Sequence, residues 1–98
     1  MKNMIDAITQ FRDERNWEGN HNLKDLAISI SLEANELLEN FQWKSSEDAL
    51  QSPEQNIKEE MADVFIYLLQ MADKMGVDLE EEVFKKIEKN ALKYPVNQ

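Results

Sequence analysis

The chain has 98 residues, 20 of them acidic against 11 basic, with a net charge of −9 and 42% hydrophobic residues. So acidic a chain lacks the basic footprint of a nucleic-acid binder, and it repels a polyphosphate unless divalent cations or local lysines reverse the field. The lack of cysteine excludes a disulfide framework and a thiolate zinc site, two glycines and two prolines argue against strand-and-turn architectures, and no apolar run nears the roughly 18 residues that span a bilayer.

The expectation is a single domain over residues 1–98, all-α, soluble and cytoplasmic, with no secretory leader. A chain of this size buries only about 60–65% of the surface that its unfolded form exposes. Association with further copies of itself is the expected way to bury more.

Residues 4–15 place Met4, Ile5, Ile8 and Phe11 at helical spacing, which predicts a first helix. The stretch NWEGNHN (16–22) breaks the pattern, and Asn22 suits the N-cap of the next helix. That second helix is predicted from about Leu23 to Trp43, with Leu23, Leu26, Ala27, Ile30, Ala34, Leu37, Leu38 and Phe41 as its apolar stripe. Ile28 and Leu32 lie on the opposite face and hint at a subunit contact. Residues 44–52 read as a polar connector.

Ser52-Pro53-Glu54-Gln55 predicts a helix start, and Gly76 predicts its end as a C′ glycine. The main stripe of this third helix is Ile57, Met61, Val64, Leu68, Ala72 and Met75, with Ala62, Phe65, Ile66 and Leu69 covering the other side. A helix apolar so far round is usually buried on more than one side. Asp78 and Glu81 predict the capped start of a fourth helix, with Leu79, Val83, Ile87 and Ala91 facing inward. Lys86, Asn90 and Lys93 share another of its faces at i, i+4, i+7, and Tyr94-Pro95 closes it. The architecture expected is a four-helix bundle completed by homo-oligomerisation.

Four acids in this pattern carry the chemistry. Glu33 and Glu36 in the second helix, and Glu60 and Asp63 in the third, are each spaced i, i+3, a turn apart on one flank. Spacing alone decides little, because about four such acidic pairs arise by chance from 20 acids, and the chain has four. Position decides more. The pair 78/81 sits in a first turn, where acids favour the helix dipole, and Glu39 points away from the apolar stripe. Only 33/36 and 60/63 flank a buried face in mid-helix. Two carboxylates about 4 Å apart repel by about 4 kcal/mol at an effective dielectric of 20. No lysine or arginine lies one turn from Glu33 or Glu36. The residues leave two readings, a site for a hard divalent cation or solvated helix edges.

Glu33-Ala-Asn-Glu36, Phe41-Gln42-Trp43 and Glu60-Met61-Ala62-Asp63 together resemble the MazG-like nucleotide pyrophosphohydrolases of the all-α NTP pyrophosphatase superfamily, nearest to the dCTP pyrophosphatase subgroup. The match runs from Phe11 to Pro95. The resemblance implies Mg²⁺-dependent (or Mn²⁺-dependent) hydrolysis of a (d)NTP to (d)NMP and pyrophosphate, a house-cleaning of the nucleotide pool. It implies Glu33, Glu36, Glu60 and Asp63 as metal ligands, and Glu33 as the acid that orients or deprotonates the attacking water. It places Trp17, His21, Trp43 and Tyr67 in the base and sugar pocket, and Lys86, Asn90 and Lys93 on sugar and phosphates. It implies a homo-oligomer with sites shared between chains, a tetramer built as a dimer of dimers ahead of a dimer. Members often read W-x-x-F-H-x-P-R-N-L before the second helix. Here Asn20, Leu23 and Asp25 replace the aromatic, proline and asparagine, so base preference does not carry over.

Each residue also has a plainer role. Trp17 and Trp43 suit packing at helix ends, His21 a structural hydrogen bond, Tyr67 the edge of a core, and Lys86 and Lys93 ordinary solvation. The rival to an enzyme is a non-catalytic acidic helical interaction module, or a domain that senses nucleotide without hydrolysing it.

Overall fold

The computed structural model describes residues 1–15, 22–50 and 54–96. Among them lie five helices and no strand: α1 (Lys2–Glu14), α2 (Leu23–Glu39), α3 (Ser46–Leu50), α4 (Glu54–Met75) and α5 (Leu79–Lys93). None is long and apolar enough to cross a membrane.

Local chemistry sets most of the ends. The Asn22 side chain accepts the Asp25 N–H at 2.8 Å and caps α2. Asp78 accepts the Glu81 N–H at 3.1 Å and caps α5. Gly76, at φ +66°, adopts the left-handed conformation that closes α4. The Ser52-Pro53 start expected for α4 lies outside the described residues. Helix α3 was not expected from the polar connector, although its signal is there: Ser45 Oγ accepts the Asp48 N–H at 3.1 Å.

Helix α2 stops at Glu39 rather than reaching Trp43. The Asn40 side-chain amide donates to the carbonyls of Glu36 and Leu37 at 3.2 and 3.3 Å, which satisfies the last turn of the helix. The chain then turns through Phe41–Lys44 and leaves Trp43 at φ +65°, a region unfavourable for a bulky side chain.

Helices α2 and α4 pack along each other, and α1 lies against α4. The Asn56 amide donates to Asn40 Oδ1 at 2.7 Å, tying the C-terminal end of α2 to the N-terminal end of α4. The two helices are therefore antiparallel. Their shared core is small: Leu26 and Leu69, each 1% exposed, with Ile57 and Ala72. Leu69, which the sequence pattern sets apart from the main stripe, is central, while Met61, Leu68 and Met75 are exposed. The reason is that α4 serves two neighbours at different angles, so no single stripe describes its buried side.

The predicted first helix is present, but its packing and that of α5 leave much apolar surface uncovered. Met4 and Phe11 of α1 are exposed, whereas Arg12 is 8% exposed and holds α1 to α4 by donating from Nη1 to Asp73 at 3.3 Å, with Nε on Asp13 at 3.2 Å. On α5, Leu79 is half-buried, but Val83, Ile87 and Ala91 are exposed, because α5 has no extended packing against the other helices. The four-helix bundle is thus not closed within one chain. The radius of gyration is 16.5 Å, against about 13 Å for a compact domain of this length.

Arg12→Ala is expected to cost about 1.5–3 kcal/mol of stability, the range for hydrogen bonds to charged groups. A urea titration followed by circular dichroism measures it. An unchanged midpoint would show that α1 is held by its apolar contacts alone.

Candidate functional site

The antiparallel register of α2 and α4 sets Glu33 and Glu36 across from Glu60. One carboxylate oxygen from each lies within 4.8 Å of the others, a trio that could hold a metal ion. Asp63, one turn beyond Glu60, stands outside that trio, yet its charge is felt at Glu33, Glu60 and Tyr67. Glu33, Glu60 and Asp63 are partly buried and Glu36 is exposed.

Glu33 Oε2 and Glu60 Oε2 are buried with no hydrogen-bond partner. Burial first, then hydrogen bonds to Glu36 and Glu60 and the charges of Glu36 and Asp63, raises Glu33 from 4.5 to about 7. Glu60 is also raised, again by burial first, with the charges of Glu36 and Asp63 adding and its hydrogen bond to Glu33 opposing. Burial and the charges of Glu33, Asp63 and Glu36 push the Tyr67 hydroxyl above 10.0, so it keeps its proton. The ion pairs of Arg12, Arg15 and Lys85 all go to acids outside these four. An all-carboxylate set with two unsatisfied buried oxygens fits a hard divalent cation.

A cavity of about 390 Å³ opens beside the acids, between α1 and α4. Ala7, Ile8, Phe11 and Ile66 supply its apolar wall. Asp63, Tyr67 and Gln70, at i, i+4, i+7 on α4, supply polar groups along one side, with Arg12 opposite on α1. Asp63 and Tyr67 therefore belong to both the acid cluster and the cavity.

Other expected site residues fall elsewhere. Trp17 and His21 lie outside the described residues. Trp43 is 100% exposed at its strained turn. Lys86 and Lys93 are exposed and Asn90 is partly buried on α5, and none of the three lines the cavity. The Lys93 ammonium instead sits 5.4 Å from the Tyr94 ring. The sequence reading missed the whole contribution of α1. Its signal was Arg12, which continues the Ile5–Ile8 stripe at i+7 and i+4, where a helix with one buried face puts an inward residue. Gln70 was missed in the same way, one turn beyond Tyr67.

The sequence profile of the MazG-like family matches residues 28–98. dCTP pyrophosphatase 1 of Rattus norvegicus is 39% identical over 93 residues, covering 90% of this chain and 55% of the relative. The Homo sapiens protein of the same name is 38% identical over the same span. The chain thus spans about half the length of the curated relatives it matches. A crystal structure of a pyrophosphatase from Archaeoglobus fulgidus superposes with a TM-score of 0.91 at 44% identity, covering 97% of this chain and 92% of that one.

The acid cluster also makes stability depend on pH. Free of metal, Glu33 binds its proton more tightly in the folded chain than in the unfolded one. Its stabilising contribution is full below 4.5 and is lost as pH rises through about 7. The melting temperature in chelator is expected to fall from about pH 5 to about pH 8 by on the order of 5 °C. Glu33→Gln should flatten that fall. A flat profile for the unaltered protein would mean that the carboxylates do not crowd one another.

Proposed function

The chain belongs to the MazG-like family, and we propose that it is a Mg²⁺-dependent nucleoside triphosphate pyrophosphohydrolase, splitting a (d)NTP between its α and β phosphates into (d)NMP and pyrophosphate. The observation that carries this reading is the carboxylate trio with two buried, unsatisfied oxygens, next to Asp63 of a cavity of about 390 Å³. The dCTP pyrophosphatases among the relatives make dCTP the first substrate to try, and the role is a cleansing of the nucleotide pool.

In this reading Glu33, Glu36 and Glu60 hold the ion, with Asp63 as the fourth ligand at the rim of the cavity; Mn²⁺ is the natural substitute. The bound ion would supply charge neutralisation for the phosphates and acidify a water. Everything else falls to the chain. Glu33 accepts the proton of the attacking water, and burial, the largest cause of its raised basicity, persists when its neighbours are neutralised. Tyr67 keeps its proton and offers a donor between phosphates and sugar. The wall of Ile8, Phe11 and Ile66 takes the flat faces of the base and excludes water.

The working form is a homo-oligomer, a dimer of dimers. Phe84, 62% exposed, with Val83 and Ile87 makes an apolar face on α5 that no helix among the described residues packs extensively against, and Ile28 and Leu32 of α2 make another. In this reading Lys86, Asn90 and Lys93, with Trp43, serve the sugar and phosphates in a site shared between chains. Trp17 and His21 complete the proposed base pocket from the segment before α2.

Incubation with each dNTP and Mg²⁺ is expected to release pyrophosphate, and the release should cease in chelator. Glu60→Gln should remove turnover and leave the helical circular dichroism intact, and Glu33→Gln should lower kcat by on the order of 10²–10⁴-fold. Orthophosphate as product, or no turnover of any nucleotide, would reject the reaction. Light scattering should give a multiple of the 11.5 kDa chain mass. Phe84→Glu should reduce that mass and the activity together. An active single chain would reject the shared site.

A further inference from the structure

Gln70 is the one uncharged amide in the cavity wall, and within the described residues its side chain makes no hydrogen bond. It is partly buried, beside Ile66 and across from Ile8 and Phe11. Its amide carries a carbonyl acceptor and two N–H donors that are committed to no neighbour among the described residues, so both faces of its hydrogen bonding are open to a ligand in the cavity. Arg12, the other polar group at that end, has already committed Nε and Nη1 to Asp13 and Asp73.

The position of Gln70 says what the ligand group is. Asp63, Tyr67 and Gln70 run along one side of the cavity, and seven residues of helix span about 10 Å. The acid cluster lies at the Asp63 end. A nucleotide whose phosphates lie at the acids, with its sugar beside Tyr67, extends its base towards Gln70. Every base edge offers a hydrogen-bond donor or acceptor next to another, and a glutamine amide answers such a pair with its carbonyl and its N–H.

We propose that Gln70 determines base selection by hydrogen bonding to the edge of the nucleobase, deep in the cavity between α1 and α4. This rests on the nucleotide reading of the acid site. The amide is free to turn over, so it serves a base with an exocyclic amine or one with an exocyclic carbonyl. A carboxylate at the same place accepts only and serves the amine alone.

Binding and turnover together test it. Affinities of dCMP and dTMP, whose bases differ in amine against carbonyl at that edge, are measured by calorimetry, and kcat/KM for dCTP and dTTP by pyrophosphate release. Gln70→Leu should weaken both nucleotides. Gln70→Glu, assayed where the carboxylate is ionised, should shift the cytosine-to-thymine ratio towards cytosine by on the order of tenfold. A purely structural role, or simple repulsion of phosphate, weakens both nucleotides alike and leaves the ratio where it was. An unchanged ratio in Gln70→Glu, in binding and in turnover, overturns the assignment of Gln70 even if the protein is an active pyrophosphohydrolase. A shifted binding ratio without any pyrophosphate release upholds Gln70 and rejects the reaction instead.

Discussion

Three like charges share one small volume between α2 and α4, and the helices are registered so that they cannot separate. At 4.8 Å, two full charges repel by about 3 kcal/mol at an effective dielectric of 20. Burial of Glu33 Oε2 and Glu60 Oε2 removes the water that would otherwise relieve them. The chain tolerates this because the hydrogen bond from Asn56 to Asn40 and the buried Leu26 and Leu69 sit on either side of the acids along the α2–α4 seam. What remains is a trio of carboxylates that could hold a metal ion and that, without one, holds a proton on Glu33 more tightly than a free carboxyl does.

The same economy appears in the core. Four buried apolar side chains among the described residues are few for a 98-residue chain, and α5 adds none of them. A small chain stabilises itself by burying apolar surface, and here that surface lies on α2, α4 and α5, facing outward. The proposed assembly and the proposed chemistry therefore meet in one requirement. Helix α5, which has no extended packing against the other helices among the described residues, is also the one that carries Lys86 and Lys93, cations that the proposed polyphosphate site could use.

Much of this was legible in the sequence where the governing interaction is local. Asn22, Asp78 and Gly76 act within a turn of themselves, and their roles derive from residue type and position. The i, i+3 spacing of Glu33/Glu36 and the mid-helix position of Glu60 foretell their convergence, and the family resemblance is borne out by the profile match. The reading failed where a helix face depends on a neighbour. Burial of α4 on more than one side was foreseen, but Met61 was placed on its main stripe and Leu69 on the other side, whereas Met61 is exposed and Leu69 is the most buried residue of the helix. Arg12 was passed over because its charge hid its place in an apolar period. Trp43 was read as helical because nothing in its own identity reveals that Asn40, three residues earlier, takes the carbonyls that would have carried the helix onward.

Helix α4 joins these features into one axis. Its N-terminal half holds Glu60 and Asp63, and there Asn56 ties it to Asn40 of α2. Its middle presents Tyr67, whose proton is retained by burial first and then by the charges of Glu33, Asp63 and Glu36. Its later turns present Gln70 to the cavity and Asp73 to Arg12, which holds α1 in place as the opposite wall. Loss of the Arg12–Asp73 contact would therefore loosen the cavity at the end away from the acids. The proposed metal site depends on α2 and the cavity on α1, so the two ends of a bound nucleotide would be governed by different helix pairs. Selection of the base can then vary through α1 and Gln70 while the carboxylate cluster, and the charge problem that defines it, stays as it is.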